Sequence, residues 1–248
     1  MTLIGGHERR PDIVLYLNGL AFAVIELKRS SVELADGVRQ LITNQEEIFN
    51  KGFFSTVQLL LAGSDSQGLR YGTTGTPEQF FVQWKEPAAA GTTAVGAAAA
   101  GAAAAGAAPT AGALLDRPLA QLCNKTRLLD LIRNFIIFDA GQKKVPRPHQ
   151  FFGVKAAQER IARHEGGVIW HTQGSGKSIV MVLVAKWLLE HDPEARILVV
   201  TDRDELDKQI EGVMKNAGVS GDDGPSPRIT SRAEFVQKTG SSRACSAP

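Results

Sequence analysis

The 248-residue sequence predicts an α/β protein built from two modules. Three observations carry that expectation. Runs with β-strand and helical character alternate in both halves of the chain. An Asn-Gly pair, Asn18-Gly19, joins two β-prone runs near the start, which is a strong hairpin signal. The two halves are separated by a tract, from Pro87 to about Gly112, made almost entirely of Ala, Gly, Thr and Pro.

Bulk composition excludes more than it assigns. A hydrophobic share of 43% and a charged share of 22% are ordinary for a folded soluble domain. The net charge of +2 means that any basic surface must come from local arrangement. Cys123 and Cys245 match no metal-ligand spacing and no disulfide framework, so a reducing cytoplasm is expected. No signal peptide is expected, because Arg9 and Arg10 lead into a strand. The Ala/Gly tract is long enough to span a bilayer, but its spaced glycines and weakly apolar alanines make a poor insertion segment.

The first module opens with the β-prone runs Asp12–Leu17 and Ala21–Lys28. Glu26 and Lys28 are two apart and share a strand face. Hairpin register decides whether Asp12 joins them. A two-residue Asn18-Gly19 loop pairs Asp12 with Ile25 and leaves Glu26 on the other face; a three-residue loop, or a bulge, brings Asp12 opposite Glu26. The expectation is the odd-loop or bulged register. Two carboxylates converging at a strand edge suit Mg²⁺, and a lysine beside them can handle a water or a phosphate charge. Asp12, Glu26 and Lys28 therefore form a candidate catalytic group, with Asp12 and Glu26 as metal ligands. An amphipathic helix over Val32–Phe49 carries Gln40, which can reach back to the carboxylates. Strands at Thr56–Ala62 and Leu69–Thr74, and a closing strand with Phe80, Phe81 and Trp84, complete a β-β-α-β order. The pattern looks like the PD-(D/E)xK nuclease core. The plainer alternative is a solvated strand, where Glu-x-Lys is common.

In the Ala/Gly tract, low side-chain volume and repeated glycine give too little burial to offset the entropy of ordering, so a flexible linker is expected. Two helices follow, meeting near Asn124-Lys125-Thr126. A basic loop over Asp139–Pro148 holds Lys143, Lys144 and Arg147, with a solvated loop favoured over a phosphate contact. After a helix over Phe151–His164 comes Val168–Trp170, read as a buried strand. It runs into His171-Thr172-Gln173-Gly174-Ser175-Gly176-Lys177-Ser178 and then a helix over Ile179–Glu190. Strand, small-residue loop and helix start are the context of a phosphate loop. The glycines turn backbone N–H groups inward, the helix N-terminus adds its field, Lys177 meets the β- and γ-phosphates, and Ser178 offers an oxygen to Mg²⁺. His171 stands where the full pattern has its first glycine. The alternative reading is a glycine-rich helix cap. A second apolar strand at Arg196–Thr201 and a helix opening at Asp202 extend the alternation, which argues a parallel sheet of the RecA-like kind.

Six segments in one order carry a more specific resemblance: Pro11-Asp12 with Glu26-Leu27-Lys28, Gln121 to Lys125, Phe138 to Gly141, His149-Gln150, Trp170 to Ser178, and Val200 to Asp207. Together they resemble the restriction (motor and nuclease) subunit of type I restriction–modification enzymes. The resemblance implies a nuclease domain joined to a helicase-type ATPase that translocates double-stranded DNA, using ATP and Mg²⁺, with methyltransferase (M) and specificity (S) subunits as partners. It places Gln40 at the family's helix glutamine, and Asn44 where the family usually has tyrosine. It makes Gln150 the reader of adenine, alongside Thr172, Gln173, Gly174, Ser175, Gly176, Lys177 and Ser178 at the nucleotide, and Thr201 to Arg203 a DNA-backbone contact.

The resulting division is a nuclease-like domain at 1–86, truncated at its start, a linker at 87–113, a helical connector at 114–148, the first part of a RecA-like lobe at 149–218, and an irregular tail at 219–248. The family's acidic motor motif, its second lobe and its arginine finger do not follow the loop in this sequence. Such motors need these groups for Mg²⁺, water and transition-state charge. A truncated product is therefore expected, with weak nucleotide binding and no ATP turnover. The rival readings are a catalytically dead remnant binding nucleotide or DNA, and part of a repair helicase–nuclease.

Overall fold

A computed structural model describes residues 3–4, 8–86, 113–218, 229 and 231–240. The Ala/Gly stretch expected as a linker lies outside the described residues apart from its last position, as does most of the expected irregular tail. The chain divides into two units, 1–176 and 177–248.

The first unit begins with a short antiparallel pair, β1 (Leu3–Ile4) and β2 (Glu8–Arg9). A five-stranded sheet follows in the order β3-β4-β5-β6-β7, formed by Ile13–Leu17, Leu20–Lys28, Leu59–Ser64, Gly68–Gly72 and Val82–Gln83. Only β4 and β5 run parallel. They are joined through α1 (Leu34–Thr43), a crossover of the length a parallel pair needs. The β3–β4 hairpin turns on Asn18 and Gly19, both at positive φ, as a two-residue loop requires. Leu17 pairs with Leu20, but Leu15 pairs with Ala23 and Tyr16 with Ala21, leaving Phe22 as an extra residue. This is the bulged register. Beyond it Ile13 faces Ile25, so one further step sets Asp12 opposite Glu26.

The core lies under α1. Leu34, Val38 and Leu41 on the helix meet Val24, Leu60, Ala62, Val57, Phe54 and Phe81. The helix is shorter than its sequence pattern suggested, since turns replace it after Thr43. On the opposite face, α2 (Ala113–Leu122) approaches β6. Pro118 inside α2 has no N–H for the Leu114 carbonyl four residues back. That oxygen lies 2.9 Å from where a Cβ on Gly68 would sit, and Gly68 is at φ +80°. Glycine there serves both a positive φ and a close approach.

Next come α3 (Lys125–Asp130), capped by Asn124 through the amides of Thr126 and Arg127, and a π-helical turn over Leu131–Phe135. The segment expected as a basic loop is instead largely a hairpin, β8 (Ile137–Asp139) and β9 (Gln142–Lys144), closed by Ala140 and Gly141 at positive φ. Lys143 and Lys144 belong to that hairpin, where Lys144 pairs with Asp139 and Lys143 bonds the Val57 carbonyl at 3.1 Å. Helix α4 (Pro148–Ala162) then packs Phe151 against Trp84 and Phe135. Tyr71 joins this aromatic cluster, and its hydroxyl donates to the Pro146 carbonyl at 2.7 Å.

The expected RecA-like parallel sheet is not formed among the described residues. Val168–Trp170 and Arg196–Thr201 are not strands. Val168 is 89% exposed, Trp170 83% and Val200 81%. A two-stranded parallel pair buries too little to hold itself together; three or more strands, or a covering face, are needed. Among its described residues the second unit contains α5 (Lys177–His191), α6 (Asp204–Asn216), which contacts α5, and α7 (Arg232–Gly240), a helix within the expected irregular tail. No helix among the described residues is long and apolar enough to cross a membrane.

Candidate functional site

Two groups of sequence-predicted residues occupy distinct places. The first stands on β4, with contributions from β3's approach and from α1. Glu26 is 2% exposed, yet it is a carboxylate in an apolar strand. Lys28, two positions on, places its Nζ 3.0 Å from Glu26 Oε1 and 2.5 Å from Gln40 Oε1. Gly37 on α1 makes room for this lysine, because a Cβ there would lie 3.2 Å from Lys28 Cγ. Asp12 is exposed at the strand entrance, and its Oδ2 accepts the Leu27 amide at 2.7 Å. That bond ties Asp12 to β4 beside the glutamate.

Charge balance at Glu26 is set first by burial, which raises its carboxyl above the ordinary 4.5; the negative Asp12 raises it further. Lys28 and Gln40 oppose the rise. Glu26 Oε2 is buried with no hydrogen-bond partner. A buried carboxylate oxygen left open costs stability unless something positive or protic meets it. Asn44, one helical turn beyond Gln40, is also buried, with an unpartnered Oδ1. Among the described residues no three His, Cys, Asp or Glu side chains gather as a metal group; the carboxylates here are two.

The second group is the loop after α4. Thr172, Gln173 and Gly174 are exposed, and Ser175 is buried, its hydroxyl donating to the Thr172 carbonyl at 2.7 Å. Gly174 and Gly176 both have positive φ, at 74° and 79°. A Cβ on Gly174 would meet nothing, so conformation rather than space calls for glycine there. Gln150, buried on the first turn of α4, engages the loop through its amide. Its Nε2 donates to the carbonyls of Ser175 (2.9 Å) and Gly176 (3.3 Å), and its Oε1 accepts the Arg147 amide at 2.8 Å. In a trans peptide the C=O and N–H point oppositely. Drawing those two carbonyls toward α4 turns the N–H groups of Gly176 and Lys177 away from it, as in an anion-binding nest. Lys177 and Ser178 open α5. Sequence reasoning missed His149, whose Nε2 also bonds the Ser175 carbonyl at 3.0 Å. Its place beside Gln150 on one helical turn was the available signal.

Residues 1–80 match the family described as type I restriction enzyme R protein N terminus, and residues 149–245 match SWI2/SNF2 ATPase. The chain belongs to the type I restriction enzyme R subunit family. Among its relatives, the type I restriction enzyme HindI endonuclease subunit of Haemophilus influenzae is 33% identical over 227 residues, 83% of this chain and 20% of that protein. The type I restriction enzyme SsaAORF53P endonuclease subunit of Staphylococcus saprophyticus is 22% identical over 208 residues, again 83% of this chain and 20% of the relative. The chain thus spans about a fifth of the length of these R-subunit relatives.

Proposed function

We propose that this chain supplies the nuclease residues and the phosphate loop of a type I restriction endonuclease R subunit, a protein that translocates and cuts unmodified double-stranded DNA with ATP. The observation that carries the nuclease half is the open, buried Glu26 Oε2 beside Asp12, Lys28 and Gln40. This donor set fits Mg²⁺: hard oxygens only, one buried and unpartnered, one exposed with room for water. Asp12 and Glu26 would hold the ion. When bound it supplies positive charge to a phosphodiester and acidity to a water. Lys28, held by Glu26 and Gln40, keeps an ammonium at the place where phosphate charge develops. Gln40 fixes the lysine's direction.

In the second group, Gly174, Ser175, Gly176 and Lys177 would take the triphosphate of ATP, with Ser178 as the Mg²⁺ ligand and Thr172 and Gln173 at the loop's rim. Gln150 is the proposed adenine reader, although its amide here serves the loop carbonyls. Methyltransferase and specificity subunits are the proposed partners, and the cytoplasm the proposed location. The proposed division into modules is that of the sequence reading, with the nuclease residues in 1–86 and the phosphate loop in 149–218. Matches to both families support this reading over a repair helicase–nuclease.

The test uses the full chain with supercoiled plasmid and Mg²⁺. Nicking is expected to be weak, and Glu26→Ala is expected to lower it by about a hundredfold, the usual scale for losing a charged catalytic group. Nicking that survives Glu26→Ala unchanged would remove the nuclease assignment. For the loop, Lys177→Ala is expected to weaken binding of Mg-ADP by about tenfold, the loss of one charge-assisted contact, and no ATP turnover is expected from the chain alone.

A further inference from the structure

We propose that His149 and His171 are positioning residues that latch the phosphate loop at both of its ends onto helix α4. This inference rests on the nucleotide reading of that loop. The exit end is held by a shared carbonyl. Ser175 O accepts from Gln150 Nε2 at 2.9 Å and from His149 Nε2 at 3.0 Å. A carbonyl only accepts, so His149 carries its hydrogen on Nε2. The entry end is held by packing. The His171 ring stands edge-on to His149, with centroids 4.9 Å apart and planes at 87°. His171 Cε1 lies 3.2 Å from where a Cβ on Gly153 would be.

His149 and Gly153 are four apart and so lie on one face of α4. That face grips His171 before the loop and Ser175 after it. The residue that replaces the first glycine of the usual loop pattern is thereby given a task. His171 closes the loop from its entry side, where a glycine has no side chain to dock. With both ends fixed, the Ser175 and Gly176 carbonyls stay turned toward α4, and the N–H groups of Gly176 and Lys177 stay turned away from it. The nest is then formed before any phosphate arrives, which removes an ordering cost from binding.

The experiment compares the full chain with His149→Phe, His149→Gln and Gly153→Ala. Phenylalanine keeps the edge-on ring and loses the donor. Glutamine loses the ring and keeps a donor. Alanine pushes on His171. Two readouts are taken: amide hydrogen exchange over 171–177 without nucleotide, and the Kd of a fluorescently labelled ADP with Mg²⁺. We expect His149→Phe and Gly153→Ala to speed loop exchange and to raise Kd by about five- to tenfold, the effect of one ordinary hydrogen bond. His149→Gln keeps the donor and is expected to restore slow exchange at the exit, 175–177, while the entry, 171–172, stays fast for want of the ring. Exchange and Kd that are unchanged in His149→Phe, while the wild type binds labelled ADP, overturn the latch alone. Faster exchange in a loop whose wild type binds no labelled ADP overturns the nucleotide reading, and with it the role given to the histidines.

Discussion

The carboxylate group on β4 and the loop after α4 differ in what each needs from the rest of the chain. Asp12, Glu26, Lys28 and Gln40 come from a hairpin and the helix that follows it, and the parallel partner β5 ends at Ser64. Every element that aims those side chains is therefore close in sequence, and β4, which carries Glu26 and Lys28, has a strand neighbour on each side. The loop after α4 is aimed differently. Its apolar approach, Val168–Trp170, has no strand neighbour among the described residues, and the loop is instead tied to α4 through Gln150 and His149. A site on a paired strand inherits its geometry from the sheet. A site on an unpaired segment holds only what its own hydrogen bonds hold.

Hydrogen exchange breaks or sharpens that contrast with the largest expected effect. Amides of β4 and β5 are expected to exchange about a thousandfold or more below the free-chain rate, as core strands do. Amides of Val168–Trp170 and Arg196–Thr201 are expected within about tenfold of it. Strand-like protection at Val168–Trp170 would show that the approach to the loop is paired after all. Core truncation gives a smaller measure of the same difference. Leu60→Ala, at 0% exposure between β4, α1 and Phe54, is expected to cost about 2–5 kcal/mol in chemical denaturation of the first unit. Val168→Ala, on a segment standing in solvent, is expected to change stability by less than about 0.5 kcal/mol.

How much of this was legible in the sequence follows the same division. The Asn18-Gly19 turn was plain, and so was the need for an extra residue if Asp12 was to meet Glu26; that the extra residue is Phe22 was not. A bulge is chosen by packing on both faces of a sheet, which periodicity does not encode. Gly37 shows the reverse case, an unremarked glycine whose purpose appears only once Lys28 lies across it. In the second half, spacing marks the helices, but a short apolar run does not itself say whether a strand neighbour is present. Val168–Trp170 and Arg196–Thr201 show that β-propensity expresses fit to a neighbouring strand rather than a preference of the backbone alone. The Lys143–Lys144 segment departs from its pattern in the other direction. A polar stretch expected as a loop folds into a hairpin because Ala140-Gly141 supplies the turn and Val57 takes the Lys143 ammonium.

A smaller effect than the core truncation concerns the cost of keeping Glu26 in its strand. Burial, reinforced by Asp12, raises its carboxyl above the ordinary 4.5 in the folded protein, with Lys28 opposing. The folded chain then binds that proton more tightly than the unfolded chain does. The associated stability is present in full below pH 4.5 and is lost as pH rises through the folded value. Glu26→Gln keeps the side chain's shape and offers Lys28 a carbonyl, while Gln40 still accepts from the same ammonium. At neutral pH without Mg²⁺ the variant is expected to be more stable than the wild type by about 1 kcal/mol, and the gap is expected to close as pH falls through the raised folded value toward 4.5. Added Mg²⁺ is expected to raise the wild-type midpoint and leave the variant's unmoved, since only the wild type keeps the second carboxylate. A wild type that gains on the variant as pH rises, before any metal is added, would mean that the Lys28 attraction outweighs burial and that Glu26 is a structural ion pair.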